Sequence, residues 1–389
     1  MSTVLFAGGG TGGHVFPMIA VADAVRGLRP DVDIVFVGTE RGLETKLVPE
    51  RGYRLELVHV EPMRGGGPAQ FFRGTTHAAL AVFKARGLVK RLAPQAVFSI
   101  GGYAAGPIAI AAWTLGIPVA LMEPNSAVGL ANQLVTPFVR RAYTAFPESD
   151  AHFPSNRVLR TGAPIREGFQ PVEYRPGRPL RILVLGGSQG AKALNDAVPR
   201  ALAVAETDVT VVHQCGAGKD AAVRALYDEL GAADRARVVP FIEDMPEALA
   251  AADLIIGRAG AGAVAEICAV GRPSLLVPYP FAGDHQKDNA LSLERAGAAV
   301  CILSKDATPE RLAAEIERLA ADPRALPRMA DAARSLGRPD AARVIALDFL
   351  EMAGLASSGA AGARAAGGGT DTEPTRGLAA ELEGGGRRV

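Results

Sequence analysis

Short apolar runs rich in β-branched residues alternate along this chain with longer stretches rich in alanine and leucine. Runs of this length bounded by turn residues read as buried strands, and the stretches between them as helices, so the pattern predicts successive βαβ units and parallel sheets. In the first half the predicted strands are Val4 to Ala7, Asp33 to Val37, Arg54 to Val58, Ala96 to Ile100 and Pro118 to Met122. Gln170 to Pro179 is proline-rich and polar, continues neither kind of element, and predicts a linker. The pattern restarts at Leu180 to Leu185 and goes on through Val209 to His213, Val238 to Phe241, Leu254 to Ile256 and Ser274 to Val277. The expected fold class is therefore α/β, with two doubly wound, Rossmann-like parallel-sheet domains at 1–169 and 180–353 and the linker at 170–179. The last helix of the second unit is free to return to the first domain. Beyond Gly354 the chain has too little apolar surface to offset its ordering entropy, so 354–389 is expected to be a disordered tail.

Composition changes this picture little. A chain of 389 residues, 48% hydrophobic and 21% charged, suits a soluble globular protein of two domains. A formal net charge of +1 gives no global reason to expect nucleic acid as a partner. Local charge says more: from Pro62 to Met122 there is no Asp or Glu, while Arg64, Arg73, Lys84, Arg86, Lys90 and Arg91 all fall in that stretch. Cys215, Cys268 and Cys301 are odd in number and widely spaced, which supports neither a disulfide framework nor a zinc site and fits a reducing cytoplasm. The chain enters a strand almost at once, with no basic stretch and cleavage site, so no signal peptide is expected. Ala104 to Met122 is nearly all apolar, but Gly106-Pro107 and Gly116-Ile117-Pro118 interrupt it, which suits a buried helix and a buried strand better than a spanning helix.

Candidate chemistry begins at Gly8-Gly9-Gly10-Thr11-Gly12-Gly13-His14, where a strand runs into a glycine cluster and then a histidine. Such a loop lets backbone approach a ligand, and amides at the following helix start favour negative charge, so an anion site beside a possible base is predicted. Gly8, Gly10 and Gly13 also satisfy G-x-G-x-x-G, which would suit a dinucleotide, yet only Glu40, past a glycine, offers the acid that a ribose would need. Further polar clusters stand at predicted strand ends: Ser99 to Tyr103 and Glu123 to Ser126 in the first half, and Gly187 to Gly190, Phe241 to Met245, Arg258 to Glu266 and Asp284 to Asn289 in the second. Two facing α/β domains with a glycine loop at each start define a cleft in which a donor and an acceptor can meet.

Five of these segments, AGGGTGGHVFP at Ala7 to Pro17, GGYAAGP at Gly101 to Pro107, GGSQGAKALN at Gly186 to Asn195, RAGAGAVAE at Arg258 to Glu266 and HQKDNA at His285 to Ala290, resemble in order the motif set of the MurG-type glycosyltransferases of family 28. The resemblance spans roughly Val4 to Leu350 and implies the GT-B fold. It also implies an inverting transfer of N-acetylglucosamine from UDP-N-acetylglucosamine to the 4-hydroxyl of the muramyl-pentapeptide sugar of lipid I, an undecaprenyl diphosphate, in peptidoglycan synthesis. Carried onto this chain, it implies that Thr11, Gly12, Gly13 and Asn125 reach the donor from the first domain, and that Arg166 and Ser188 stand near the diphosphate. It implies Ile242 at the uracil, Ala261, Gly262, Ala263, Val264, Ala265 and Glu266 along the nucleoside and phosphates with Glu266 on the ribose, and Gln286 on the sugar hydroxyls. Where many relatives read His-Glu-Gln-Asn, this chain has Met122-Glu123-Pro124-Asn125.

The chemistry of these residue types is sensible in itself. Displacement at the anomeric carbon needs a base, for which His14 is the candidate, and stabilisation of the leaving diphosphate by amides and a guanidinium. No cofactor or metal is then required, and no His/Cys cluster has ligand spacing. Plainer readings stay open: Glu266 as a solvated carboxylate in a first helical turn, Arg166 as a surface arginine, Gln286 and Asn289 as caps, Tyr103 as a packing residue. A nicotinamide oxidoreductase would leave the second glycine loop without a role, an epimerase of UDP-N-acetylglucosamine would want acidic residues in the cleft, and a non-catalytic nucleotide-sugar binder would not need His14. A polyprenyl acceptor stays in the bilayer, so Phe71, Phe72, Leu80, Val82 and Phe83, interleaved with Arg73, Lys84, Arg86, Lys90 and Arg91, are expected to hold the protein peripherally on an anionic surface at the cytoplasmic side of the inner membrane.

Overall fold

The structure is a computed structural model that describes residues 2–59, 68–102, 104–187, 189–280 and 285–356, with side chains of the third helix described from Leu80 onward. Tyr103, Ser188, Phe71, Phe72, Arg73 and residues 357–389 of the tail expected at 354–389 therefore lie outside the described side chains or residues, whereas Leu355, at the start of that expected tail, is buried in the first-domain core.

The first half runs β1 (Thr3–Gly8), α1 (Gly12–Leu28), β2 (Asp33–Gly38), α2 (Glu44–Glu50), β3 (Arg54–Leu57), α3 (Pro68–Leu92), β4 (Ala96–Gly101), α4 (Ala105–Thr114), β5 (Val119–Glu123), α5 (Leu130–Val135), β6 (Arg141–Thr144), α6 (Pro147–Asp150) and β7 (Val158–Arg160). The second half runs β8 (Leu180–Leu185), α7 (Lys192–Val204), β9 (Val209–Gln214), α8 (Asp220–Glu229), β10 (Ala236–Val239), α9 (Met245–Ala251), β11 (Leu254–Gly257), α10 (Ala261–Val270) and β12 (Ser274–Leu276). It ends with α11 (His285–Arg295), β13 (Ala299–Cys301), α12 (Pro309–Ala321), α13 (Ala325–Leu336) and α14 (Ala341–Met352). The strands form two parallel sheets, seven-stranded in the order β3-β2-β1-β4-β5-β6-β7 and six-stranded in the order β10-β9-β8-β11-β12-β13.

Helices on both faces explain why the central strands are apolar throughout. Val4 to Ala7, Val35 to Val37, Val119 to Met122 and Leu254 to Ile256 are buried, as a parallel sheet covered twice requires. The pattern missed β6, β7 and β13. These are three or four residues long; Arg141 and Arg160 interrupt the pattern at β6 and β7, while β13 is a three-residue piece of the apolar run Ala298 to Leu303, too short to stand out as a strand. It also set β10 two residues late: Pro240 has no amide to extend the ladder, and Phe241 turns 55% exposed. The apolar stretch from Ala104 resolves into α4 and β5 around the turn at Gly116, and no helix among the described residues is long and apolar enough to cross a membrane.

The last helix, α14, packs on α1 of the first domain. Phe349 is fully buried there, its ring 5.7 Å from those of both Phe6 and Phe98, while Arg141 Nε (2.8 Å) and the Tyr143 hydroxyl (2.9 Å) donate to Asp348. The chain thus passes between the sheets twice, after β7 and before α14. The two passages lie side by side, because Gly162 leaves no room for a Cβ against the Arg338 side chain, 2.6 Å away.

Candidate active site

The carboxyl ends of β1, β4 and β5 bring three polar segments together. Gly9 and Gly10 hold φ of +145° and +94°, which only glycine adopts without strain, and Gly102 abuts the Gly9 backbone so closely that a Cβ there would stand 2.8 Å from Gly9 O. Helix α1 then starts at Gly12 behind Thr11, whose side chain makes no cap bond. Thr11 and Gly13 are exposed and Gly12 half-buried, so the first amides of a seventeen-residue helix are offered outward, as an anion requires.

His14 sits in that first turn, half-buried, with Nδ1 3.2 Å from Gly9 O. A carbonyl only accepts, so Nδ1 carries the proton in this bond and Nε2 keeps its lone pair. Burial lowers the imidazole pKa from its ordinary value and outweighs the Gly9 bond and the Glu123 and Glu44 carboxylates, which raise it; His285, across the cleft, lowers it further. The neutral form is therefore the one favoured near neutral pH.

Glu123, at the end of β5, is almost fully buried and satisfied by four donors: Asn125 N (3.0 Å), Asn125 Nδ2 (3.1 Å), Gly129 N (3.0 Å) and Asn132 Nδ2 (2.8 Å). Asn125 is thereby fixed on one side. On the other, its Oδ1 accepts from Asn289 Nδ2 at 3.2 Å, and Asn289 Oδ1 accepts from Ser126 N at 2.9 Å. Asn289 lies on α11, so this pair ties the Glu123 loop of the first domain to the second. Sequence reasoning placed Asn289 in a motif but not at a junction, and passed over Glu44 and Asn132. The signal for Glu44 was present in Gly38, Gly42 and Gly9, whose Cβ atoms would all collide with its carboxylate.

In the second domain, α10 starts at Ala261 behind Gly260, which has no side chain to cap with. A Cβ at Gly260 or Gly262 would meet nothing within 4 Å, so these glycines keep space clear rather than close a packing contact. Ala261 and Val264 are buried and Ala263 and Ala265 half-buried, and Val264 packs in the core, 2% exposed. Glu266 is in the second turn of α10, not the first, so the macrodipole is not its reason for being there. Arg166 Nε, from the first domain, lies 3.6 Å from Glu266 Oε1. Burial pushes the Glu266 carboxyl up to about 7, with Arg166 pulling it partly back.

Ile242 is half-buried, and its amide donates to Gln214 Oε1 at 3.2 Å, while Gln214 Nε2 donates to Gly187 O at 3.1 Å. One side chain thus holds the loops after β8 and β10 in register. Gln286 Oε1 accepts from Tyr279 N at 3.0 Å, leaving its amide nitrogen as the group that can meet a ligand. Arg258 Nη1 donates to Val277 O (2.9 Å), Pro278 O (3.1 Å) and Ser304 Oγ (2.9 Å), so this nitrogen braces the 277–279 turn. No group of His, Cys, Asp or Glu among the described residues could hold a metal ion. The Asp31-Val32-Asp33 triplet opens β2 at the opposite end of the sheet, with Asp31 paired to Arg29.

Two family models match the chain, the glycosyltransferase family 28 N-terminal domain over residues 4–144 and the glycosyltransferase family 28 C-terminal domain over residues 181–345. A relative from Sorangium cellulosum (strain So ce56), named UDP-N-acetylglucosamine--N-acetylmuramyl-(pentapeptide) pyrophosphoryl-undecaprenol N-acetylglucosamine transferase, is 57% identical over 91% of this chain and 89% of its own length. A protein of the same name from Anaeromyxobacter sp. (strain Fw109-5) is 44% identical over 88% of this chain and 91% of its own. The crystal structure of Acinetobacter baumannii MurG superposes with a TM-score of 0.76 at 33% identity, covering 90% of this chain and all of that one. Two facing parallel-sheet domains of the GT-B fold, both family models in register and relatives of this identity together place the chain in glycosyltransferase family 28, among the MurG-type enzymes.

Proposed function

We propose that this chain transfers N-acetylglucosamine from UDP-N-acetylglucosamine to the 4-hydroxyl of a muramyl-pentapeptide carried on undecaprenyl diphosphate, with inversion, converting lipid I to lipid II. The observation that carries the reading is the contact of His14 Nδ1 with Gly9 O beside an open helix start, which turns Nε2 away from that bond and toward a hydroxyl proton. The uncapped starts of α1 and α10 and the Arg166 guanidinium are suited to a diphosphate leaving group. Labelled UDP-N-acetylglucosamine incubated with a lipid I analogue should give a disaccharide-lipid, and hydrolysis or epimerisation of the donor without that product would refute the assignment.

The donor roles are those that the family resemblance implies. The second domain holds most of UDP-N-acetylglucosamine, with Ile242 at the uracil, residues 261–266 along the nucleoside and phosphates, Ser188 near the diphosphate, and Gln286 at the sugar. Thr11, Gly12, Gly13 and Asn125 approach from the first domain. Glu266→Ala is expected to weaken UDP binding by about 1 to 3 kcal/mol, the range for a hydrogen bond to a charged group. The pH dependence carries the sign: ribose hydroxyls donate to the ionised carboxylate, so with a carboxyl at about 7 affinity should fall as pH drops through neutrality. Glu266→Gln should remove that component. Calorimetry across pH 5.5 to 8.5 comparing the two proteins checks it, and superimposable pH curves would take Glu266 out of the site.

Membrane attachment is supported by exposed apolar side chains on α3 and α4, and the cytoplasmic side is the one that the resemblance implies. Phe83 is 74% exposed, and Leu80 and Trp113 are also exposed. Lys84, Arg86, Lys90 and Arg91 are exposed beside them, whereas Val82 is half-buried against the core and takes no part. The protein should sediment with anionic vesicles at low salt and be released at high salt, each basic residue contributing on the order of 1 kcal/mol. Phe83→Ser combined with Lys84→Glu and Lys90→Glu should abolish sedimentation and spare UDP binding. Equal sedimentation of that variant would place the membrane surface elsewhere.

A further inference from the structure

One peptide unit joins the buried carboxylate of Glu44 to the imidazole of His14. The Gly10 N–H donates to Glu44 Oε2 at 2.7 Å, and the carbonyl of that same peptide bond, Gly9 O, is the partner of His14 Nδ1 at 3.2 Å. Peptide planarity puts the N–H and C=O on opposite edges of one rigid plane, so carboxylate and imidazole are held at its two ends. The other carboxylate oxygen accepts from Thr39 N (2.9 Å) and Thr39 Oγ1 (3.0 Å), which stops Glu44 from rotating away. Glu44 is fully buried, and anchoring a glycine turn alone would not need a charged group there.

We propose that Glu44 is a positioning residue that acts on His14 through the Gly9–Gly10 peptide, a carboxylate–peptide–imidazole relay that fixes the Nδ1–H tautomer and strengthens Nε2 as a proton acceptor. The proposal rests on the reading of His14 as the base. Hydrogen bonds in series polarise one another, so a carboxylate on the N–H makes the carbonyl a better acceptor for the imidazole. In the reaction the acceptor hydroxyl gives its proton to Nε2 as its oxygen bonds to the anomeric carbon. The electron pair of the breaking carbon–oxygen bond leaves with UDP. Nδ1 keeps its proton throughout, and the charge gained by the ring is stabilised by the peptide and, through it, by Glu44. Among the described residues, three titratable groups face the ring: Glu44 from α2, Glu123 from β5 and His285 from α11. Of these, Glu44 alone is joined to it through the Gly9 carbonyl.

Nitrogen-15 NMR of the histidines in the full chain tests this, with His14 assigned by comparison with His14→Gln. In the unaltered protein the neutral ring should carry its proton on Nδ1, and an Nε2–H tautomer would overturn the relay even if no Glu44 variant folds. Glu44→Gln should lower the His14 pKa by about half a unit or more, since a neighbouring negative charge is lost. It should move the acidic limb of the kcat profile with it and lower the plateau by about tenfold at unchanged donor KM. Glu44→Asp should restore part of both. A folded Glu44→Gln with an unmoved His14 pKa refutes the relay while leaving the base reading intact. A shifted pKa alongside a His14→Ala protein that keeps its turnover refutes the base reading, and the catalytic role of the relay with it.

Discussion

His14→Ala should lower kcat by at least about 100-fold while UDP affinity stays within about twofold, because a positioned general base contributes roughly 10² to 10⁴ and a donor held by the second domain does not depend on it. The expectation comes from one bond. Gly9 O fixes the proton on Nδ1, which leaves Nε2 as the only ring atom that can accept one. Burial adds a pH signature: a base must be neutral to act, and a pKa below the ordinary 6.5 extends the neutral form to lower pH. The acidic limb of kcat at saturating donor should therefore lie below pH 6.5 and vanish in the variant. A loss under tenfold with normal UDP binding would leave His14 as a loop residue only.

Phe349→Ala is expected to cost the first domain about 3 to 5 kcal/mol, the usual loss when a fully buried phenylalanine is truncated. Its ring meets Phe6 and Phe98 edge-on, and such pairs add to the apolar area lost. Because the residue lies near the end of the described chain but packs beneath the first sheet, the damage should appear in the domain farther away in sequence. Denaturant unfolding with and without saturating UDP reads this: the transition that UDP does not protect should shift to lower denaturant. A loss below about 1.5 kcal/mol would mean that α14 is not integral to that core.

Much of the fold was legible because both sheets are parallel and covered on both faces, which turns central strands such as Val4 to Ala7 into unbroken apolar runs. Short strands toward the end of the sheet are not marked this way, and Arg141-Ala142-Tyr143-Thr144, opened by a charge and closed by a polar residue, passes for loop. The glycine loops were legible for a similar reason, since backbone that must approach a ligand or another backbone excludes side chains, as Gly102 against Gly9 shows. What holds those loops was not. Glu44 is thirty-four residues from Gly10, and Asn289 is more than one hundred and sixty from Asn125, and neither spacing has a local signature. Arg258 shows the opposite limit: it belongs to a motif that reads as ligand-binding, yet its Nη1 is directed at Val277 O, Pro278 O and Ser304 Oγ.

The paired passages at Gly162 and Arg338 set the mechanics of the cleft. A single tether would let one half of the molecule swivel freely against the other, but two tethers side by side act as the two pins of a door. Opening and shutting about the line through them stays cheap, while sliding or twisting across it strains both. The groups farthest from that line travel most for a given rotation. A cut at either passage should therefore leave both halves folded and still touching, yet scatter the approach of His14 to a sugar held on α10 and α11.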